Sequence, residues 1–338
     1  MMWVDTAKGF GIVLVVFGHA LRGLVAANVM TWTTTAQFAD TWIYAFHMPL
    51  FFFLSGLFLF RSTFKTWPRF IWDRFRTIAY PYFVWSLVIL LIKAPLGQIV
   101  NSPRDLSEVP LILYQPIEQF WFLYVLFLLV VITGSLIKFG VNVWLNLLFA
   151  ALLYPGILPI PFSKWVPLDQ IRFFGIFLAL GTVVGSYGAV GMLSKTPSRW
   201  LALIAALGLA VSSLPAWLDI RYQYPLQFVA AVSGTAAIVA LALLLDKSRW
   251  NAAIQFLGRY TLEIFVAHTI VSAAGRIVLQ RLTDVKSPAI YLLLETALGL
   301  TIPILFAIAL RRAGLPLFTL PETATQPSTR ALGPPSHR

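Results

Sequence analysis

The stretch "KGFGIVLVVFGHALRG", residues 8–23, decides the fold class of this chain. It is nearly all hydrocarbon and glycine, and it approaches the ~20 residues that an α-helix needs to cross a bilayer. Yet it contains Lys8, His19 and Arg22, and an ionisable side chain at bilayer depth costs at least ~2.5 kcal/mol on insertion scales. A helix with three such groups must turn them toward a protein interior or a cavity, because lipid cannot be their neighbour.

The whole chain has the composition of a helical membrane protein. Of its 338 residues 59% are hydrophobic and only 11% are charged, whereas soluble domains carry about 25% charged residues. Its mean hydropathy is +0.81. We therefore expect an all-α, polytopic integral membrane protein of about ten transmembrane helices around a polar interior cavity. Soft boundaries leave nine or eleven spans open, and the ten predicted segments are 8–27, 41–60, 78–95, 119–137, 141–159, 167–187, 199–216, 224–245, 256–280 and 289–310.

The distribution of cations predicts the orientation in the membrane. The net charge of +12 would suggest nucleic acid in a soluble protein, but here the cations lie in short loops, so no nucleic-acid partner is expected. The loop after the first span, 28–40, has no Lys or Arg, whereas the next loop has five. These five are Arg61, Lys65, Arg69, Arg74 and Arg76. The positive-inside rule then predicts a multi-pass protein of the cell inner membrane with both termini in the cytoplasm.

Two segments outside the spans have compositions of their own. In residues 61–77 aromatic side chains alternate with cations, which predicts an amphipathic helix lying in the cytoplasmic interface. Residues 313–338 are rich in Pro, Ser and Thr and are predicted to form a disordered cytoplasmic tail. Residues 1–312 would then form one transmembrane domain. The absence of cysteine excludes thiol nucleophiles, disulfides and thiolate metal sites.

The ionisable residues of the first span share one helix face. At ~100° per residue, positions 8, 12, 15, 19 and 22 fall on the same side, and His19 lies about 16 Å beyond Lys8. In the second span Asp40, Tyr44 and His47 form an i, i+4, i+7 row that points the same way, and His47 is expected at a depth similar to that of His19. His268 lies in the middle of a late span. The alternatives are that Lys8 is an interfacial anchor that snorkels and that His19 is a hydrogen-bonded packing residue.

The chemistry open to these histidines is general base catalysis or metal binding. Metal binding is the weaker alternative, because the three histidines come from three helices without His-x-x-His or Glu-x-x-His spacing. We therefore expect no metal site. The sequence also lacks a glycine-rich phosphate loop and a serine nucleophile elbow.

Four stretches resemble one known family. "WVDTAKGFGIVLVVFGHALRG" and "FHMPLFFFLSGLFLF" are similar to the first two helices of the acyltransferase family 3 membrane proteins, especially the fucose 4-O-acetylase-like branch. The family's mark is a basic residue, ten residues and a histidine, which here are Lys8 and His19, with Lys where many members have Arg. "QFWFLYVLFLL" and "LGRYTLEIFVAHTIV" resemble later helices of the family, with Thr261 in a serine position.

The resemblance implies an enzyme, an acyl-CoA-dependent O-acyltransferase. It would move a small acyl group, usually acetyl, from cytoplasmic acyl-CoA to a hydroxyl of a glycan or lipid-linked saccharide, with no permanently bound cofactor. We expect His19 to act as general base, with Lys8 as its partner in the motif. Arg22 or His47 would stabilise the oxyanion. A covalent acyl-histidine relay remains the alternative mechanism.

The same resemblance suggests two binding regions. The phosphates of acyl-CoA would bind four cations of the basic loop, since the planar fork of arginine matches phosphate oxygens. These are Lys65, Arg69, Arg74 and Arg76. Anionic lipid is their alternative ligand. The acceptor would contact four residues of later spans, although Trp and Tyr also populate membrane interfaces without catalytic reason. These are Glu118, Trp121, Tyr124 and His268.

One ion pair and two rival functions complete the expectations. Glu263 with Arg259, one turn apart, is predicted to be a structural ion pair. A transporter or flippase for a glycan or lipid precursor would use the same polar interior without acyl transfer. A non-catalytic membrane sensor or assembly factor is the second rival.

Overall fold

The computed structural model describes residues 2–220, 223–246 and 251–321, and within these ranges the chain forms α-helices and no β-strand. The α-helices are α1 Met2–Ala26, α2 Thr34–Gly56, α3 Leu59–Ser62, α4 Trp67–Arg74, α5 Tyr80–Lys93, α6 Trp121–Lys138, α7 Val143–Leu153, α8 Val166–Ser186, α9 Ala189–Leu193, α10 Ser198–Ser212, α11 Leu214–Trp217, α12 Tyr224–Leu245, α13 Asn251–Arg259, α14 Thr261–Leu282 and α15 Pro288–Arg312. The predicted all-α architecture is confirmed.

In the described ranges, nine helical runs are long and apolar enough to cross a membrane. These runs are Met2–Ala26, Thr34–Ser62, Trp67–Gly97, Leu106–Lys138, Val166–Ser186, Ser198–Trp217, Tyr224–Leu245, Thr261–Leu282 and Pro288–Arg312. The multi-pass membrane protein expected from the sequence is therefore confirmed. The predicted span 141–159 yields only the 11-residue helix α7, which ends before Pro155 and Pro159. Proline disfavours helical backbone at the residue before it and removes a donor, so the helix stops at Leu153.

Side-chain contacts show the directions in which the chain crosses the bundle on either side of α7. We call the bundle face at which α1 begins the near face, and the opposite one the far face. The Lys138 ammonium, at the end of α6, donates to the carbonyls of Thr63 (2.8 Å) and Lys65 (2.6 Å), just after α2 has returned to the near face. The Trp165 indole, before α8, donates to the Tyr114 carbonyl (2.6 Å) in the loop preceding α6. Both α6 and α8 run from the far face to the near face. The chain must therefore return from the near face to the far face between them, and α7 with the loop after it makes this crossing.

The start of α1 and the end of α15 lie at the same face. Gly258 of α13 packs against the first turns of α1 so closely that a Cβ there would lie 1.7 Å from the Asp5 carbonyl oxygen. Glu263, in the first turn of α14, pairs with Arg311 in the last turn of α15. Glycine allows the close backbone approach between helices that membrane interfaces use in place of a hydrophobic driving force.

The basic segment of the near face is helical over part of its predicted length. Instead of spanning 61–77, the amphipathic helix α4 begins at Trp67 and runs through a π-helical turn, Phe75–Ala79, into α5. Such π turns occur frequently at functional sites.

The first part of the predicted tail lies against this region. The Phe318 ring is buried and lies 5.3 Å from the Trp85 ring, and the Trp85 indole donates to the Leu317 carbonyl (3.1 Å). Residues 322–338 of the predicted tail lie outside the described residues.

Candidate active site

A cavity of about 540 Å³ occupies the far half of the bundle. Its walls come from the last turns of α1, the middle of α2, the end of α5 with the segment after it, the start of α6, one residue of α8, the central part of α14 and Glu295 of α15. Three histidines reach it, namely His19, His47 and His268. Its volume lies within the ~300–1,000 Å³ of small-molecule sites, so it can hold a ligand the size of a sugar.

The histidine rings converge although they come from three different helices. The ring centroids of His19 and His268 are 5.2 Å apart in an edge-on arrangement. The Tyr44 ring lies 6.2 Å from that of His19 and 4.6 Å from that of His47, so it bridges the two imidazoles. The structure thus brings the predicted residues His19, His47 and His268 into one site.

Backbone carbonyls select the tautomers of two of these rings. His47 Nδ1 lies 2.7 Å from the Ile43 carbonyl, and His268 Nδ1 lies 2.8 Å from the Phe265 carbonyl. A carbonyl only accepts, so Nδ1 carries the proton and Nε2 of the neutral ring is left as an acceptor. Nε2 of His268 is buried and has no hydrogen-bond partner among the residues that the structure describes. Its lone pair therefore remains available beside His19.

Arg22 is committed to a carboxylate and an aromatic ring. Its Nε and Nη2 donate to the two oxygens of Asp40 at 2.6 and 3.0 Å, and its guanidinium carbon lies 3.2 Å from the centre of the Tyr44 ring. This bidentate pairing holds the guanidinium in one orientation, against the face of the Tyr44 ring. The sequence placed Tyr44 in the right row but gave it no role. Its hydroxyl is buried without a hydrogen-bond partner in the described ranges.

The wall at the start of α6 is strained and charged. Glu118 has a φ of 47°, in the left-handed region, which costs a non-glycine residue about 1–3 kcal/mol. Its carboxylate forms an ion pair with Lys93, and the Gln119 amide donates to the Thr269 hydroxyl (2.8 Å). All these residues line the cavity, and Lys93, Gln119 and Thr269 were not predicted.

The two aromatic residues predicted on α6 have different positions. Trp121 lines the cavity, with its ring 5.2 Å from that of Phe174. Tyr124 is not among the lining residues, and its hydroxyl donates to the Leu113 carbonyl (3.1 Å). The structure therefore brings Trp121, but not Tyr124, to the site.

A buried ion pair that was not predicted from the sequence also lines the cavity. Arg276 Nη1 lies 3.1 Å from Glu295 Oε1, with the two side chains 5% and 1% exposed. The signal was present, because each is an ionisable residue inside an apolar span. Their partnership joins α14 to α15 at the cavity.

One predicted ion pair is wrong. Glu263 pairs with Arg311 of α15 and not with Arg259, whose guanidinium lies 5.9 Å from the Phe256 ring. The expectation assumed one continuous helix, but α13 ends at Arg259 and Tyr260 has non-helical backbone angles before α14 begins. The i, i+4 geometry is therefore lost.

The four predicted phosphate ligands differ in their engagement. Asp73 accepts from Lys65 (2.5 Å) and from Arg76 (3.2 Å), and Arg69 also has an interaction partner. The Arg74 guanidinium lies 5.5 Å from the Phe70 ring, and its Nε is buried without a hydrogen-bond partner in the described residues. Arg74 is therefore the member of the cluster with an unused buried donor.

Lys8 lies apart from the cavity. Its ammonium is 3.6 Å from the Asp5 carboxylate, at the start of α1. Between Lys8 and His19 the side chains of Ile12, Val15 and Val16 are at most 1% exposed, so this face of α1 is packed up to the cavity. In the described ranges no three His, Asp or Glu side chains are grouped as metal ligands.

Fold and site together define a polytopic membrane protein with a histidine-lined cavity inside its helical bundle. The model of a protein family described as an acyltransferase domain matches residues 1–312. The chain belongs to this family, acyltransferase family 3.

The comparison with curated proteins gives a distant relative. Nodulation protein NolL of Mesorhizobium japonicum is 26% identical over 147 residues, which cover 42% of this chain and 37% of that protein. The match thus spans little more than a third of the relative's length. No solved structure matches the chain.

Proposed function

We propose that the protein transfers a small acyl group, in the simplest case acetyl, from acyl-CoA to a hydroxyl of a glycan or lipid-linked saccharide. The near face would be the cytoplasmic side of the cell inner membrane, and the acceptor would occupy the cavity in the far half. The observation that carries this proposal is the contact of His19 with His268, whose ring centroids are 5.2 Å apart at the wall of a 540 Å³ cavity. O-acetylation of a polysaccharide would be the cellular result.

His19 is the base of the reaction. The acceptor hydroxyl donates a hydrogen bond to a nitrogen of His19, and its oxygen attacks the thioester carbonyl as the proton passes to the ring. The new C–O bond forms, the C–S bond breaks, and the departing CoA sulfur takes the proton from the imidazolium. General base catalysis of this kind contributes typically ~10²–10⁴-fold to the rate.

His268 orients His19. Its Nδ1–H is held by the Phe265 carbonyl, so its Nε2 can only accept. The best donor for this lone pair is an N–H of His19, which leaves the other nitrogen of His19 free to act as the base. The same contact stabilises the positive charge that His19 acquires during the reaction.

The donor binds at the near face. Cations there are plentiful, as the positive-inside rule requires of a cytoplasmic surface, and the buried, unpartnered Nε of Arg74 offers a site for a phosphate. The thioester must then pass Ile12, Val15 and Val16 to reach His19. Because these side chains are fully packed, donor binding has to separate α1 from its neighbours there.

The test uses purified protein in lipid nanodiscs with radiolabelled acetyl-CoA and a panel of octyl glycosides as acceptors. Label should appear on a glycoside, and His19→Ala should lower kcat by at least ~10²-fold. The matched control His337→Ala, outside the described residues, should retain activity. Movement of glycosides across the membrane without any consumption of acetyl-CoA would instead establish the transporter alternative.

A further inference from the structure

The buried pair of Arg276 and Glu295 is not used by the chemistry described above. Both side chains line the cavity, and both are at least nine-tenths buried. They come from α14 and α15, whereas the reacting base comes from α1.

Gly23 fixes the position of the pair relative to the base. A Cβ built on Gly23 would lie 3.2 Å from Arg276 Nη1 and 3.8 Å from Glu295 Oε2. Gly23 follows His19 by one helical turn, or about 6 Å along α1 toward the far face. The pair therefore lies one turn outward of His19, on the wall that an acceptor bound at His19 would face.

Electrostatics argue against a purely structural role. A buried ion pair seldom repays the desolvation of its two charges, and ionisable residues inside spans commonly mark a ligand or ion pathway. An apolar contact could join α14 to α15 at lower cost. A hydrogen bond already joins the two helices beside the pair, because Ser272 of α14 donates to the backbone carbonyl of Glu295 (2.8 Å).

The chemistry of the pair matches one class of ligand. A guanidinium only donates hydrogen bonds, and a carboxylate only accepts them. Set side by side, they complement adjacent hydroxyl groups, each of which both donates and accepts. A saccharide presents such hydroxyls next to the one that is acylated, whereas a simple alcohol does not.

We propose that Arg276 and Glu295 form a subsite for the hydroxyls that neighbour the acylated hydroxyl of a saccharide acceptor. This inference rests on the proposed function and specifies its acceptor. The two residues are positioning residues, because they hold the sugar ring while the reacting hydroxyl lies at His19. The missing Cβ of Gly23 keeps the approach to the pair open.

The test measures the acceptor KM and the acetyl-CoA KM separately, in nanodiscs, with octyl glycosides and their deoxy analogues. Glu295→Gln should raise the acceptor KM about 10- to 100-fold, the usual effect of a lost hydrogen bond to a charged group. The acetyl-CoA KM should change less than about 2-fold, since binding lost at one subsite leaves the other intact. The wild type should discriminate against an acceptor that lacks the neighbouring hydroxyl, and Glu295→Gln should lose that discrimination.

Two further variants separate this role from folding. Gly23→Ala leaves both charges in place and replaces glycine by a better helix former, yet its methyl group would crowd Arg276; it should also raise the acceptor KM. Asp169→Asn removes the carboxylate partner of the buried Arg172 (3.0 Å) away from the cavity, and should leave the acceptor KM unchanged.

Two results would overturn the subsite alone. These are an unchanged acceptor KM in Glu295→Gln and equal changes in both KM values. A wild type that acylates no glycoside, whether or not it consumes acetyl-CoA, would overturn the proposed function and the subsite together, so the two failures are distinguishable.

Discussion

The imidazole of His268 lies edge-on to that of His19, with 5.2 Å between the ring centroids, and its Nε2 has no partner among the described residues. Backbone carbonyls accept from the opposite nitrogen of His268, which leaves Nε2 of the neutral ring as an acceptor. In the proposed reaction the second histidine would orient the first, in the way that a carboxylate orients histidine in hydrolases.

His268→Gln should lower kcat about 10- to 100-fold with little change in the acetyl-CoA KM, because it removes an orienting lone pair and no donor-binding group. Steady-state kinetics over a range of pH measure the effect. The pH profile of kcat should also shift, because the acidity of His19 depends on its partner. A variant with the kcat and pH profile of the wild type would contradict the pairing.

Arg22 and Asp40 should act as one unit. Arg22→Lys loses the two-pronged contact and the stack on Tyr44, and Asp40→Asn leaves the arginine without its counter-charge. Each substitution should reduce kcat about 10-fold. The kcat of the double variant should be close to that of either single variant, which corresponds to a coupling energy of about 0.5–3 kcal/mol between the two residues. Additive losses in the double-mutant cycle would show that the two residues act independently.

Arg74 should dominate donor binding at the near face. Arg74→Gln should raise the acetyl-CoA KM about 10-fold, since it removes a cation with an unused buried donor. Arg76→Gln should raise the acetyl-CoA KM by a smaller factor, because Arg76 already forms an ion pair with Asp73 (3.2 Å). Arg61→Gln, at an exposed position of the same face, is the matched control. If each of the three substitutions changed the acetyl-CoA KM and the acceptor KM to the same extent, the result would favour a lipid-binding role for these cations.

The sequence predicted those parts of the site that depend on position along a helix. His19 and His47 were placed at similar depth by counting residues from the same membrane face, and they do line one cavity. Partners across the bundle were not predictable in this way. Arg276 with Glu295, and Glu263 with Arg311, depend on how α14 and α15 are rotated against each other, which periodicity within one helix does not fix.

In the proposed reaction the thioester would pass along the packed face of α1. Ile12, Val15 and Val16 separate Lys8 from His19, and all three are at most 1% exposed. Val15→Ala should widen the space between Lys8 and His19. The ratio of kcat/KM for butyryl-CoA to kcat/KM for acetyl-CoA should then rise about 10-fold, which is the scale of methylene discrimination in apolar pockets. Competition between the two donors in nanodiscs measures this ratio directly.

The matched control for this substitution lies on the same helix. Val4 is also fully buried (2% exposed) but precedes Lys8. Val4→Ala deletes the same atoms, and core truncations on this scale cost roughly 0.5–3 kcal/mol wherever they occur. It should therefore lower the thermal midpoint as much as Val15→Ala does, while the preference between the two donors stays that of the wild type. If both variants changed the donor preference equally, the effect would come from general loosening of the bundle, and the thioester would have to reach His19 along another face.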